Sequence, residues 1–333
     1  MNTATAVVLS ILLGFIPMIF FAYIVYWVDR YEKEPRLLLG GVFLWGAILA
    51  AGSAFILNSI LEVGVYLFTR SDTITNLTTG SLIAPIVEEA LKGFSVLIVF
   101  MVFRKEFDSV LDGIIYASVT ALGFAATENA YYIYHYGYTD NGVVGILVMF
   151  VIRVFLVGWQ HPFYTSFTGI GLAFSRLSKN STVKFMAPIA GFSAAVLTHS
   201  FHNTVASLMP GATGLAAGTL IDWTGWFMMF IFILWALHRE QRWIIHQLKE
   251  EVNLALISSD QYRVACSAWL QTITRMKALT SGQYRPTNRF YQVAAELAYK
   301  KEQRTRLGDE GGNGVIIEEL RSELTRLSPL AIA

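Results

Sequence analysis

Residues 4–27 read ATAVVLSILLGFIPMIFFAYIVYW, an apolar run without a charged residue. About 20 such residues in a helix cross the hydrocarbon core of a bilayer. The run follows no basic segment and ends without a small-residue cleavage site. We therefore interpret it as a first membrane span and not as a cleaved signal peptide.

Six further apolar runs follow, and together they predict an all-α, polytopic membrane bundle of about seven spans. The candidate spans are residues 6–27, 37–68, 82–103, 110–134, 143–175, 185–208 and 219–237. The fifth run is too long for one straight span. We favour one crossing with a break between Gly158 and Pro162, because two crossings would place the basic loop 176–184 outside the cell.

The composition excludes several other classes of protein. Hydrophobic residues make up 54% of the 333 residues and charged residues 15%, whereas soluble domains contain about 25% charged residues. These values exclude a soluble or disordered chain, and the single cysteine, Cys266, excludes a disulfide scaffold. A net charge of +1 provides no field that would recruit nucleic acid.

Basic residues predict the orientation of the spans. They concentrate in alternate connections, at residues 29–36, 104–108 and 176–184, and directly after residue 238. Since such connections stay in the cytoplasm, we predict a cell-membrane protein with its N-terminus outside and its C-terminus inside.

The charges also divide the chain into two parts. Residues 239–333 hold 14 of the 25 lysines and arginines. We predict a membrane-embedded domain over residues 1–238 and a small cytoplasmic helical tail over residues 239–333. Within the tail, the basic run 300–306 is predicted to be a solvated helix face or a lipid-headgroup contact.

Four groups of polar residues lie inside the predicted spans, where charges are costly and usually functional. In chain order they are Glu88, Glu89 and Lys92, then Glu128 and Asn129, then Arg153 and His161, and finally His199, His202 and Asn203.

Helical spacing predicts which of these residues share a face. Glu88 and Lys92 are four residues apart, so they can form an ion pair. Glu89 lies about 100° around the helix from Glu88, which predicts two carboxylates that point in different directions. His199 and Asn203 are again four residues apart and share a face.

Depth gives an independent indication of a single site. With a rise of about 1.5 Å per residue, Glu88, Glu128 and His161 lie roughly 9 Å below the outer membrane boundary, and His199 roughly 13 Å below it. Scattered structural polar residues are not expected to fall in one layer. Glutamates and histidines in one layer can activate a water molecule, either as general bases or by holding a metal ion.

This chemistry suits hydrolysis of a peptide bond, and two alternatives stay open. A proton- or ion-coupled transporter also uses intramembrane carboxylates, although the two halves of the chain show no inverted repeat. A membrane scaffold or immunity-type protein with an inactive site is the third class.

At these residues the sequence resembles the PrsW family of intramembrane proteases, which is related to the CAAX-prenyl proteases and the bacteriocin-processing Abi proteins. The resemblance covers roughly residues 20–240. It rests on EEALK at 88–92, FAATEN at 124–129, His161 and HSFHN at 199–203, with DRYEKEP at 29–35 and Asp112-Gly113 in addition. Any one motif is weak, whereas four in order within membrane spans are specific.

The resemblance implies an intramembrane endopeptidase that cleaves a membrane-anchored protein, such as an anti-sigma factor, near the outer face of the membrane. The predicted catalytic residues are Glu88, Glu89, Glu128, His161, His199 and Asn203, with Lys92, Asn129 and His202 in supporting positions. Either Glu88 or Glu89 is predicted to be the general base, and Asn203 to assist the oxyanion. Arg153 is predicted to pair with a carboxylate or to snorkel, and Asp112 to cap a helix.

The resemblance leaves glutamate-type and metal-dependent chemistry open, so the cofactor is either none or a divalent metal such as zinc. His161, His199 and Glu128 are the candidate metal ligands. No HExxH motif preforms a metal site, and Lys92 adds a positive charge that disfavours a dication. From the sequence we therefore favour a metal-free, glutamate-activated water.

Overall fold

The computed structural model describes residues 1–29, 31, 33–209, 211–309 and 312–333. All regular secondary structure in these ranges is helical, which confirms the all-α prediction. Arg30 and Glu32 of the motif at 29–35 lie outside the described residues.

The helices follow one another through short connections. The α-helices are α1 (Thr3–Val28), α2 (Arg36–Leu44), α3 (Ala51–Thr69), α4 (Asp72–Thr78), α5 (Ala84–Val102), α6 (Val110–Tyr132), α7 (Thr139–Phe150), α8 (Gln160–Leu177), α9 (Ser181–Leu208), α10 (Ala212–Gln247), α11 (Lys249–Asn253), α12 (Ser259–Ala265), α13 (Ala268–Thr280), α14 (Tyr284–Leu307) and α15 (Asn313–Leu327). Segments with π-helical hydrogen bonding are Trp45–Ala50, Thr79–Ile83, Ile133–Tyr138 and Val151–Leu156, and 3₁₀ turns are Arg104–Glu106 and Ser328–Leu330.

Among the described residues, five helical stretches are long and apolar enough to cross a membrane. They are Thr3–Val28, Arg36–Thr69, Val110–Leu177, Ser181–Leu208 and Ala212–Asn253. The third stretch has 68 residues, about three times the length of one crossing. Helix α5 is not among the five and carries two glutamates and a lysine within 19 residues. The predicted count of seven crossings and the predicted orientation stay predictions.

The chain forms two compact units. The first comprises Met1–Trp27, Glu34–Arg176 and Ser181–Ile231, and the second comprises Val28–Lys33, Leu177–Asn180 and Phe232–Ala333. The predicted division of the chain after residue 238 stays a prediction.

Helices α6 and α8 of the first unit approach each other at two glycines. A Cβ atom on Gly113 of α6 would collide with the carbonyl oxygen of Gly169 on α8, and the reverse also holds. Small residues of this kind let helices pack closely in a membrane, where dispersion contacts replace the hydrophobic driving force. The approach holds α8, which carries His161, against α6, which carries Glu128.

The start of α6 is fixed by a capping box, as predicted for Asp112. The hydroxyl of Ser109 accepts hydrogen bonds from the backbone N–H of Leu111 at 3.0 Å and of Asp112 at 3.2 Å. In return, Asp112 Oδ2 accepts from the backbone N–H of Ser109 at 2.6 Å. The reciprocal bonds satisfy N–H groups that a helix leaves without an intrahelical partner.

A break precedes α8 and places His161. Val157 leaves helical geometry with φ −122° and ψ 8°, and α8 begins at Gln160. The predicted break between Gly158 and Pro162 is confirmed at its N-terminal side. Pro162 then lies in the first turn of α8, where the missing N–H costs no hydrogen bond, so His161 projects from a defined helix start.

The second unit has its own apolar core, built around α14. Phe290, Val293 and Leu297 of that helix are fully buried. The predicted helical tail is confirmed as helical, and its cytoplasmic location stays a prediction. The solvated face predicted for residues 300–306 is wrong at Lys300 and Lys301, which are each 8% exposed.

Lys301 is buried because it forms an ion pair that the sequence spacing does not reveal. Lys301 Nζ lies 2.6 Å from Oε1 of Glu251, and Arg321 Nη2 lies 3.0 Å from the same oxygen. Glu251 is fully buried, so two cations from α14 and α15 compensate its charge.

Candidate active site

The EEALK segment lies on α5 and is buried. Glu89 and Lys92 are 0% exposed and Glu88 is 8% exposed. The Lys92 ammonium lies 3.6 Å from Glu88 Oε2, which confirms the predicted pair, and 2.8 Å from Glu89 Oε1, which is the closer contact. Charges buried this deeply require compensation, and one lysine serves both carboxylates.

The two glutamates converge, and the prediction that they point in different directions is wrong. Nδ1 of His199 lies 3.0 Å from Glu89 Oε1, and Nε2 of the same ring lies 3.9 Å from Glu88 Oε2. Their Cα–Cβ bonds do diverge by about 100° around α5. The flexible side chains turn back toward the same partners, Lys92 and His199.

Glu88 and Glu89 differ in the number of hydrogen bonds that their carboxylate oxygens accept. Glu89 interacts with Lys92 and His199, and its Oε2 accepts a hydrogen bond from the Thr165 hydroxyl at 2.8 Å. By contrast, Oε2 of Glu88 is buried and has no hydrogen-bond partner among the described residues. A buried carboxylate oxygen without a donor is costly, and this one has only the longer contacts with Lys92 at 3.6 Å and His199 at 3.9 Å.

His161 connects the glutamates of α5 to Glu128 of α6. Its Nδ1 lies 3.1 Å from Lys92 Nζ, and its Nε2 lies 2.8 Å from Glu128 Oε2. The ring centroids of His161 and His199 are 5.3 Å apart. The structure therefore brings together residues that the sequence placed on four separate helices.

Glu128 is compensated from outside its own helix. Its Oε2 forms an ion pair with Nη2 of Arg153, and Arg153 Nε donates to Asn129 Oδ1 at 2.9 Å. The Arg153 guanidinium also lies 4.4 Å from the ring centroid of Tyr132. The prediction that Arg153 pairs with a carboxylate is confirmed, and Asn129 holds the arginine in place.

The hydrogen bonds determine the tautomers of both histidines. An ionised carboxylate can only accept, so Nδ1 of His199 carries a proton toward Glu89 and Nε2 of His161 carries one toward Glu128. The opposite nitrogen of each ring then carries the lone pair, which on His161 accepts a hydrogen bond from Lys92 Nζ at 3.1 Å. A carboxylate behind an imidazole in this way is the usual support of a metal-binding histidine.

The site fits a divalent metal ion. One ligand atom from each of Glu88, His161 and His199 lies within 4.8 Å of the others. Two imidazoles and a carboxylate are a ligand set of catalytic zinc. Glu128, the carboxylate predicted to bind a metal, contacts Arg153 and His161, and its role as a metal ligand stays a prediction. The Lys92 ammonium lies beside two of these ligands and competes with a cation.

Asn203 and His202 are both engaged in other contacts. Asn203 Nδ2 donates to the backbone carbonyl of Gly80 at 2.9 Å, which ties α9 to the segment Thr79–Ile83. His202 Nδ1 lies 3.0 Å from Oδ2 of Asp222. The predicted oxyanion role of Asn203 stays a prediction, and its observed contact positions the helix that carries His199.

Sequence reasoning missed Asp222 and Tyr164. Asp222 of α10 is 1% exposed, and its Oδ1 accepts a hydrogen bond from the Tyr164 hydroxyl at 2.7 Å. The ring of Tyr164 stacks on the ring of His199, with centroids 4.9 Å apart and planes inclined by 21°. The signal was present, because an aspartate inside an apolar span is itself an indication of function.

The helices and the buried cluster define a class: a multi-pass helical membrane protein with glutamates, histidines and a lysine gathered inside its bundle. Residues 34–236 match the family model described as PrsW family intramembrane metalloprotease, and the chain belongs to that family.

Curated relatives named Protease PrsW agree with this assignment. The protein of Clostridioides difficile (strain 630) is 35% identical over 124 residues, which are 37% of this chain and 50% of that protein. The protein of Geobacillus kaustophilus (strain HTA426) is 32% identical over 32% of this chain and 44% of its own length. The chain thus spans about half the length of these two relatives.

A third relative is covered more fully. The Protease PrsW of Oceanobacillus iheyensis is 29% identical over 237 residues, which are 69% of this chain and 93% of that protein. No solved structure matches the chain. The family match gives no support to the transporter alternative. Since the family is described as a metalloprotease family, the match favours a metal over the metal-free chemistry that the sequence suggested.

Proposed function

We propose that this protein is an intramembrane endopeptidase that hydrolyses a peptide bond of a membrane-anchored protein. The observation that carries the proposal is the unpartnered Oε2 of Glu88, buried beside His199 and Lys92. Such an oxygen accepts a proton from water or binds a metal ion, and both activate a nucleophile. Family membership of residues 34–236 supports the same assignment.

Glu88, His161 and His199 would hold a divalent metal ion in this proposal. Such an ion would lower the pKa of a water molecule and polarise the scissile carbonyl. Without an ion, Oε2 of Glu88 would be the general base, so this glutamate is central to either chemistry.

The remaining residues orient this set. Glu89 and Glu128 accept the N–H of His199 and His161 respectively and so fix the orientation of both rings. The other nitrogen of His161 faces Lys92, so a metal ion would replace the ammonium there. Lys92 neutralises Glu89 and brings a positive charge close to Glu88. That ammonium is suited to stabilise the oxyanion that forms when water adds to the peptide carbonyl. Asn203 holds α9 against Gly80.

The setting of the reaction follows from the predicted topology. With the N-terminus outside, the cluster lies near the outer face of the cell membrane, and the helical tail lies in the cytoplasm. A substrate with one membrane anchor and a bond near that face, such as an anti-sigma factor, is the expected partner.

Reconstitution tests the proposal directly. The purified protein is placed in liposomes with a candidate anchored substrate, and fragments are identified by mass spectrometry. We expect cleavage close to the outer membrane boundary. Ion flux across the same liposomes without any cleavage would contradict the proposal.

Metal removal is expected to abolish cleavage. Exhaustive chelation should reduce the rate to background, and one equivalent of Zn²⁺ or another divalent ion should restore it, because the ligand set fits such an ion. Metal analysis of the purified protein checks the stoichiometry. Full activity in a chelated, metal-free sample would assign the reaction to Glu88 as general base.

Replacing Tyr164 by Phe is expected to lower kcat roughly 10-fold and to leave KM within about twofold, as for other residues that orient a metal-binding histidine. The ring can still stack on His199, but it loses its anchor on Asp222. Tyr138→Phe is the matched control, because its hydroxyl donates to the Met1 carbonyl at 2.7 Å, apart from the cluster. An unchanged kcat, or a loss confined to KM, would exclude the positioning role.

A further inference from the structure

A cavity of about 610 Å³ lies in the second unit, between the C-terminal part of α10, Lys249 and α14. Its volume is within the range of about 300–1,000 Å³ that small-molecule sites occupy. The family match ends at residue 236, so nearly all of the lining lies outside the segment that defines the family.

The cavity is positively charged. Four permanently charged cations and a single carboxylate, Glu302, line it: the cations are Arg239, Arg242, Lys249 and Arg306. Glu302 is already bound, since its Oε1 lies 2.6 Å from Arg306 Nε and its Oε2 accepts from Gln247 Nε2 at 3.0 Å. Three lining cations therefore remain without a carboxylate in the wall of the cavity.

Arg239 is the most informative of these cations. Its guanidinium lies 4.8 Å from the ring centroid of Trp235 and 5.0 Å from that of Trp243, one turn away on either side along α10. Its Nε and Nη2 atoms are buried and have no hydrogen-bond partner among the described residues. Glu240, the next residue, is buried and does not line the cavity.

The Trp235 and Trp243 rings hold the Arg239 guanidinium in position through cation–π contacts. Arg242, three residues further along α10, lines the same cavity with an exposed side chain. A guanidinium is a planar fork of N–H donors that matches the oxygens of a phosphate group, which can accept two parallel hydrogen bonds. We infer that this cavity binds a phosphate-bearing anion through Arg239 and Arg242, and that the phosphate belongs to the headgroup of an anionic phospholipid.

The position of the cavity along α10 favours a lipid. The apolar run of this helix ends at Leu237, directly before the cations. Trp235 is 48% exposed and Leu234 is 49% exposed, so apolar surface continues up to the cavity. Tryptophan followed by arginine at the end of a span is the arrangement found at the headgroup level of a bilayer, and basic pockets there bind lipid headgroups.

Native mass spectrometry of the purified full chain tests the site. Phosphatidylglycerol is titrated against phosphatidylcholine, and inorganic phosphate is added as a competitor. We expect tighter binding of phosphatidylglycerol, weakened about tenfold or more in an Arg239→Gln/Arg242→Gln variant, since charge-assisted hydrogen bonds are lost. An Arg263→Gln/Lys277→Gln variant makes the same charge change at exposed positions outside the cavity and should bind like the unmodified chain.

Each result decides a different point. Displacement of the lipid by inorganic phosphate would support the anion site and assign it to a soluble phosphate. Equal binding by the Arg239→Gln/Arg242→Gln variant, or an equal loss in the control, would overturn the site. If the double variant does not fold, Arg242→Gln alone, at an exposed side chain, makes the same comparison. The readout involves no proteolysis, so it is independent of the proposed function.

Discussion

Glutamine in place of Glu88 is expected to lower the rate of peptide cleavage by roughly 10³-fold, within the range of about 10²–10⁴ for a lost general base. The amide has nearly the same shape as the carboxylate but neither accepts a proton from water nor provides an anionic metal ligand. The change removes the 3.6 Å ion pair with Lys92, but Lys92 keeps its closer partner Glu89 at 2.8 Å, so folding should be preserved. The measurement is the initial rate of substrate cleavage in liposomes.

Glu62→Gln is the control for this change. Glu62 lies on α3 and is exposed, and its replacement removes one negative charge without touching the cluster. We expect cleavage within about twofold of the unmodified protein, as for ordinary surface substitutions. If Glu88→Gln retained more than a small fraction of the activity while Glu62→Gln behaved normally, the central role of Glu88 would be wrong.

Methionine in place of Lys92 is expected to destabilise the protein by about 3–5 kcal/mol, the usual cost of removing one partner of a buried ion pair. Lys92 and Glu89 are both fully buried and 2.8 Å apart. Without the ammonium, Glu89 is left as an uncompensated charge inside the bundle. Equilibrium unfolding in mixed detergent micelles measures the loss in the free energy of unfolding.

A second substitution tests whether the uncompensated charge of Glu89 causes the loss of stability in Lys92→Met. Glu89→Gln in the Lys92→Met background removes the uncompensated charge, so the double variant should recover part of the lost stability. Lys184→Met on α9 is the control, because Lys184 is exposed. Additive losses from Lys92→Met and Glu89→Gln would show that the two residues do not act as a pair.

The apolar spans and the polar motifs could be predicted from the sequence because each depends on local information. A run of 20 apolar residues buries well only as a membrane helix, and the charges inside such runs are few enough to be recognised individually. The break before α8 was predictable from the glycine and proline that interrupt the apolar run, and the pairing of Glu88 with Lys92 from helical spacing.

The roles within the cluster could not be predicted in the same way. Spacing on α5 shows where Glu88 and Glu89 leave the helix, but the partners that turn both carboxylates inward come from α5 itself and from α9. The sequence predicts Glu128 as a metal ligand, and spacing along the chain does not reveal that Arg153 pairs with its Oε2. The chemical type and the depth of each residue can be read from the sequence, but neither property shows which carboxylate oxygen accepts no hydrogen bond.

The sequence by itself determined that this is a helical membrane protein, which helices carry its ionisable residues, and that these residues belong together. Only the tertiary structure decided that Oε2 of Glu88 accepts no hydrogen bond from the described residues, and that Tyr164 stacks on His199 and donates to Asp222. The physical reason is that the two kinds of interaction act over different distances along the chain. Membrane insertion and helix formation depend on neighbours along the chain, whereas the state of a buried carboxylate depends on which donors other helices bring within about 3 Å.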